Sequence, residues 1–224
     1  MIPVQEWQIE VPFAALRPRL FSIDARQTSD QDALIFAETL SEEERLRRDA
    51  LRYQDERRLF ELAHGLMRSA AATCLGVPLD HVLIESRVGR KPRVVWPVSK
   101  LDISMAHARH SAVCAVFENG DVGVDAEFLR EGRTRNCAWL LSPEEQAWLK
   151  LQPPGTAREI SIWTLKEAVA KALGVGMRLD FSAFSIRTQP PGMIRAPAGY
   201  DGRWTLWQSN RDRMQVALAW RTQE

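Results

Sequence analysis

Trp163-Thr164-Leu165-Lys166-Glu167-Ala168-Val169-Ala170-Lys171 is the stretch whose reading decides the fold, because the chain carries a control for it. Far upstream a second helix-like run reads Arg68-Ser69-Ala70-Ala71-Ala72-Thr73-Cys74-Leu75-Gly76-Val77 and continues to Leu79-Asp80. The later copy reads Lys166-Glu167-Ala168-Val169-Ala170-Lys171-Ala172-Leu173-Gly174-Val175 and continues to Leu179-Asp180. The small residues, the Leu-Gly-Val stop and the Leu-Asp restart recur. Where the second copy has Glu167 and Lys171, the first has Ser69 and Thr73. A repeat displays what a fold requires. Charges present in one copy only are surplus to that requirement and point to chemistry.

Working outward, the repeat predicts an α+β fold of two pseudo-duplicated halves, residues 1–128 and 129–224, with an active site expected where they meet. In the first half a charged segment from Ser41 to Asp55 opens on a capping-box pattern, Ser41 followed by Glu44. It leads into a helix with Leu59, Phe60, Leu62, Ala63, Leu66 and Met67 at helical spacing. Val82 to Ile84 reads as a strand, Gly89-Arg90-Lys91-Pro92 as a turn, and Ala112 to Val116 as a buried strand. In the second half Trp163 to Leu173 reads as the helix, Phe181 to Ile186 as a strand, and Val216 to Ala219 as the counterpart of the Ala112 strand. A linker is expected near Phe128 to Arg135, around Gly132. Pro153-Pro154-Gly155 and Pro190-Pro191-Gly192 read as loops.

The composition sets bounds. The chain has 224 residues, 45% hydrophobic and 26% charged, with a net charge of +1. No broad nucleic-acid or membrane surface is implied by that balance. Three scattered cysteines, Cys74, Cys114 and Cys137, argue against a disulfide framework and fit a reducing cytoplasm. The opening residues show no basic region followed by an apolar run, so no secretory signal is expected. No apolar stretch approaches the roughly 20 residues that span a bilayer.

The candidate chemistry gathers around two segments. Glu118-Asn119-Gly120-Asp121 is a turn between two strand-like runs, Asn-Gly being a strong hairpin signal. In the strand that follows, period two puts Val122, Val124 and Ala126 on one face and Gly123, Asp125 and Glu127 on the other. Side-by-side carboxylates require solvent, a basic side chain or a metal to offset their repulsion. Helical spacing puts Trp163, Glu167 and Lys171 on one face. Taken singly, these are an ordinary solvated strand edge and an ordinary surface ion pair. Together, three carboxylates with lysines nearby match a Mg²⁺–polyphosphate site, because Mg²⁺ is held by a few carboxylates plus the substrate's own phosphates. Lys91 adds positive charge, and His107 is expected at the loop-to-strand junction before Ala112. His64 and His81 read as structural, and His110 as a possible neighbour. The residues alone leave open a phosphoryl-type transferase, another Mg²⁺-dependent phosphohydrolase or nucleotidyl transferase, and a non-catalytic protein-binding scaffold. No phosphate-cradling loop of the P-loop kind is present in the sequence.

Gly123-Val124-Asp125-Ala126-Glu127 followed by Trp163-Thr-Leu-Lys166-Glu167-Ala-Val-Ala-Lys171 closely resembles the paired signatures of the 4′-phosphopantetheinyl transferases. Length and duplicated halves are similar to the monomeric surfactin-type class. The resemblance implies transfer of the 4′-phosphopantetheine of coenzyme A to a serine of an apo acyl, peptidyl or aryl carrier protein, releasing 3′,5′-ADP. Such carriers serve fatty-acid, polyketide or nonribosomal peptide synthesis. It implies Asp125, Glu127 and Glu167 as Mg²⁺ ligands, and Lys166 and Lys171 in the motif's basic positions. Because Glu167 adjoins both metal and lysines, it is the expected proton acceptor for the serine hydroxyl, directly or through a metal-bound water. Lys171 is the better candidate for the pyrophosphate. Lys91 and His107 match positions contacting the coenzyme's phosphates, and Arg45, Arg48 and Arg58 lie loosely where basic residues meet the 3′-phosphate. The family often flanks the histidine with hydroxyl residues, whereas this chain has Ala106 and Ala108. Carrier and coenzyme A are the implied partners of a cytoplasmic monomer. Trp139, Leu140, Leu141 and Trp148 are apolar candidates for carrier docking.

Overall fold

Gly76 and Gly174 both sit in the left-handed region, each at φ 67°, and each ends a long helix. A residue with a Cβ pays for that conformation, so glycine is the usual helix stop. The two helices are α3 (Gln54–Leu75) and α5 (Thr156–Leu173), and the duplicated sequence around them is a duplicated structure. The computed structural model describes residues 2–11, 14, 16–129, 138–152 and 156–222. The chain divides into two units: Met1–Glu10 with Ala15–Glu118, and Val11–Ala14 with Asn119–Glu224.

The first unit contains β1 (Gln5–Trp7), β2 (Arg19–Asp24), α1 (Asp30–Glu38), α2 (Glu42–Asp49), α3, β3 (Leu83–Glu85), β4 (Arg93–Trp96), β5 (Asp102–Ala108) and β6 (Ser111–Phe117). Its six strands form one antiparallel sheet in the order β1-β2-β6-β5-β4-β3, and α3 lies across β6, β5 and β2. Leu59, Leu62, Ala63, Leu66 and Met67 of α3 are buried, as the helical spacing predicted, and pack with Ala70 and Ala71 against Phe21, Ile103, Ala112 and Cys114 of the sheet, while Phe60 of the same predicted set is only half-buried. Cys74 and Cys114 are free thiols, and Cys137 lies outside the described residues.

The second unit contains β7 (Asp121–Phe128), α4 (Pro143–Lys150), α5, β8 (Ser185–Thr188), β9 (Pro191–Arg195), β10 (Arg203–Arg211) and β11 (Met214–Thr222). Three strands run in the order β10-β11-β7, β8 and β9 form a separate hairpin, and α5 packs on β7 and β11. The architecture is α+β. Among the described residues no helix is long and apolar enough to cross a membrane.

Several local expectations change, Pro191-Gly192 among them, which opens β9 instead of continuing a loop. The Asn119-Gly120 turn closes no hairpin, because β6 is already bonded on both edges, to β2 and β5; β7 pairs instead with β11. The boundary between the units therefore falls at Glu118, ahead of the carboxylate strand rather than after it. Phe128 belongs to β7, and the linker residues from 130 onward lie outside the described ones, as does Pro153-Pro154-Gly155. Phe181 to Ile186 is not one strand: Phe181–Ala183 is a tight helical turn, with the Asp180 carboxylate accepting from Ser182 N–H, and β8 starts at Ser185. His107 lies within β5, opposite Ala112, just before the Arg109-His110 turn.

Helix and sheet of the second unit touch at Gly123. A Cβ built there would lie 1.9 Å from the Ala168 carbonyl oxygen and 2.3 Å from Ala172 N. Backbone cannot yield to such an overlap, so Gly123→Ala must push α5 outward. It should cost at least about 3 kcal/mol, at the upper end for overpacking. Chemical denaturation checks this; an unchanged midpoint would mean that α5 has slack above β7.

Candidate active site

The face of β7 that carries Gly123, Asp125 and Glu127 is the face that α5 covers. Both faces of the strand are shielded: Val122 and Val124 are wholly buried, and Asp125 is only 7% exposed. A solvated edge it is not. Lys171 Nζ lies 2.7 Å from Asp125 Oδ1, and the Trp163 indole N–H donates to Glu127 Oε1 at 2.9 Å. Residues separated by 36 and 46 positions along the chain are thereby joined side chain to side chain. Glu167 stands between Trp163 and Lys171 on the same helical stripe, half-buried.

Asp125 Oδ2 is buried and has no hydrogen-bond partner among the described residues. A buried carboxylate oxygen without a donor is costly, and a cation would relieve it. The donor set of Asp125, Glu127 and Glu167, all hard oxygens, fits Mg²⁺. The side chains are not drawn together into a group of three metal-ligating residues among those described.

Trp163 is fixed by rings as well as by Glu127. It stacks parallel to Phe181 at 6.4 Å and meets Trp139 edge-on at 6.1 Å. Trp139 is 55% exposed, whereas Leu140 and Leu141 are core residues and Trp148 is half-buried. Of the four apolar docking candidates, Trp139 is the one that stands open.

Lys166 is placed differently from the motif's suggestion. It is fully buried, 2.6 Å from Glu145 Oε2, and donates to the carbonyls of Leu140, Phe181 and Phe184 at 2.9, 2.6 and 2.9 Å. Burial pulls it below the ordinary lysine value, with the Glu145 carboxylate pulling the other way. Glu145 is the third residue of a capping box opened by Ser142, and its Oε1 accepts from Ile186 N–H. Lys166 thus ties α5 to α4 and β8, with its ammonium occupied by protein acceptors.

The first unit builds the same device. Ser41 and Glu44 form a capping box, and Glu44 Oε2 lies 2.6 Å from Arg68 Nη2, the residue aligned with Lys166. His64 Nδ1 is 2.7 Å from Glu44 Oε1, which accounts for His64 as a buried structural residue. Burial alone would raise Glu44; the His64 hydrogen bond and Arg68 outweigh it and hold the carboxyl at about 2. The stability this provides is present above the ordinary carboxylate value and is lost as pH falls through about 2. Sequence reasoning noted Ser41–Glu44 but missed its twin. Leu40-Ser41-Glu-Glu-Glu44 against Leu141-Ser142-Pro-Glu-Glu145, with a cation at both 68 and 166, was the available signal. At the functional positions the copies diverge: Thr73 merely bonds back to the Ser69 carbonyl.

The remaining basic candidates belong to the first unit. Lys91 Nζ bonds Asp102 Oδ2 within a partly buried pair. His107 and Arg45 are exposed. Arg48 meets Asp49 and Glu61, and Arg58 meets Asp30 and the Thr28 carbonyl.

Residues 121–219 match the family model of the 4′-phosphopantetheinyl transferase superfamily. The 4′-phosphopantetheinyl transferase HetI of Nostoc sp. is 30% identical over 194 residues, covering 82% of this chain and 78% of that protein. The chain belongs to the 4′-phosphopantetheinyl transferase superfamily. Relatives in this superfamily include the 4′-phosphopantetheinyl transferase of Bacillus subtilis, 24% identical over 77% of each chain, and the 4′-phosphopantetheinyl transferase psf-1 of Bacillus pumilus, 25% identical over 80% of this chain and 79% of its own. The matched segment begins at the first residue of β7 and ends within β11, so it contains both β7 and α5. The chain is an enzyme of this transferase class.

The two lysines of the transferase motif separate in experiment. Lys166→Met leaves Glu145 and three carbonyls buried without their cation and should cost about 3–5 kcal/mol. At ~2–4 °C per kcal/mol that lowers Tm by on the order of 10 °C. Lys171→Met, at the partly open end, should lower Tm by less than half as much. Thermal unfolding of both variants checks this; equal losses would place Lys171 in the same structural class as Lys166.

Proposed function

We propose that this chain transfers the 4′-phosphopantetheine group of coenzyme A to a serine of an apo carrier protein, with Mg²⁺, releasing 3′,5′-ADP. The meeting of the two signature segments carries the reading: Lys171 on Asp125 and Trp163 on Glu127 make one site out of distant motifs. Asp125, Glu127 and Glu167 would hold the metal, and Asp125 Oδ2 is the oxygen that most lacks a partner. Bound there, Mg²⁺ would neutralise charge that builds on the diphosphate oxygens.

The chain's own residues supply the rest. Glu167 accepts the proton of the carrier serine hydroxyl as its oxygen bonds to the β-phosphorus. The phosphorus–oxygen bond to the departing nucleotide breaks, and 3′,5′-ADP leaves with the electron pair. Lys171 stabilises charge on the diphosphate through an ammonium already positioned beside the carboxylates. The walls that bury Asp125 keep water from competing with the serine, and in such a site each fixed charge acts more strongly than in water. Lys91 and His107, with Arg45, Arg48 and Arg58, are the candidate contacts to the coenzyme's remaining phosphates. Lys166 is left out of the substrate set. The chemistry at serine is the same for acyl, peptidyl and aryl carriers.

Incubation with coenzyme A, Mg²⁺ and a set of apo carrier proteins should add one phosphopantetheinyl group to a carrier, read by mass spectrometry. Asp125→Asn and Glu127→Gln should each lower the rate by a factor on the order of a hundred or more, with circular dichroism unchanged. Near-normal turnover of both variants would remove them from the metal site.

A further inference from the structure

The Asp125 carboxylate is shared unevenly. Its Oδ1 faces the Lys171 ammonium at 2.7 Å, while its Oδ2 is buried with no hydrogen-bond partner among the described residues. Asp125 is 10% exposed at the side chain and Lys171 30%, so the lysine approaches from the partly open side and the orphaned oxygen points inward. Glu127, next on the same strand face, is engaged through Oε1 by a neutral donor, the Trp163 N–H.

A cation already resident on a carboxylate opposes a second cation arriving on it, and the opposition is strong where water is excluded. Lys171 sits near the end of α5 on four flexible methylenes, so it can leave Asp125 when offered a better anion. A diphosphate is such an anion. We propose that Lys171 is an exchangeable cation on Asp125: it holds the carboxylate until a diphosphate draws the ammonium away, and only then does a divalent ion gain the carboxylate in full. Metal and diphosphate consequently bind with mutual reinforcement, and Lys171 sets its size. The reciprocity is thermodynamic: if diphosphate tightens the metal, the metal tightens diphosphate by the same factor. The first repeat shows the alternative, since Thr73 at the equivalent position closes on its own helix backbone and leaves no such lock. This inference rests on the metal assignment of the preceding section and deepens it by giving the order in which the site is filled.

The test is a titration of the full chain with Mn²⁺, followed by electron paramagnetic resonance of the free ion, with and without inorganic diphosphate. The parent should bind Mn²⁺ weakly alone and at least roughly tenfold more tightly with diphosphate, a coupling within the usual range for linked sites. Lys171→Met should bind Mn²⁺ alone roughly tenfold more tightly than the parent, and diphosphate should then add little. Its Tm should also rise with Mn²⁺ more than the parent's does, by mass action on the folded state. If Lys171→Met does not fold, Lys171→Thr, carrying the residue of the first repeat, takes its place. A variant that binds Mn²⁺ alone no better than a diphosphate-responsive parent overturns the exchange while leaving the metal assignment standing. Absence of Mn²⁺ binding by parent and variant under every condition, coenzyme A included, overturns both.

Discussion

Backbone contact between α5 and β7 at Gly123 is the constraint on which the candidate site depends. With no side chain at that position, the Ala168 carbonyl comes to where a Cβ would stand, and the helix lies directly on the strand. Only at that separation can Lys171 reach Asp125 and Trp163 reach Glu127 without long intervening solvent. The small residues of the repeat, Ala168 and Ala172 on the helix and Ala217 and Ala219 on β11, serve the same closeness. A bulkier seam would leave the same charges solvated and weak.

What holds α5 against sliding is a second, quite different interaction. The Glu145–Lys166 pair is wholly inside the protein, and its burial is offset by complete satisfaction: one carboxylate and three carbonyls around the ammonium, backbone N–H groups on the carboxylate. Such pairs contribute little net stability over an apolar core, yet they fix register, because any shift of the helix by one residue breaks every bond at once. The first unit uses Glu44 and Arg68 in the same way. Duplication therefore preserved a locking device and let the adjacent helical stripe diverge. In α3 the stripe is Ser69 and Thr73, inert; in α5 it is Glu167 and Lys171, charged and next to two strand carboxylates.

The two lysines of one motif thus sit in opposite surroundings, decided by helical phase. Lys166 points into the core, and Lys171, on another side of the helix, faces β7. A motif written as letters records both as basic. The surrounding acceptors distinguish them: carbonyls and a capping glutamate in one case, a half-satisfied aspartate in the other.

The sequence by itself determined the duplication, the α+β class, the two long helices with their glycine stops, and the family resemblance carried by Asp125, Glu127, Glu167 and Lys171. These are local properties: period, capping chemistry and turn residues act over a few neighbouring positions, and a repeat exposes them twice. Tertiary structure alone decided that β7 leaves β6 and pairs with β11, that Phe181 to Ala183 coils instead of extending, that His107 stands within a strand, and that Lys166 is a core residue. Each of those depends on which partner is available across the fold. Strand β6 had no free edge to offer β7, and the carbonyls of Phe181 and Phe184 turned toward the buried Lys166 ammonium on the preceding helix. Competition for hydrogen-bond partners is settled in three dimensions, where burial makes an unmet donor or acceptor too costly to leave.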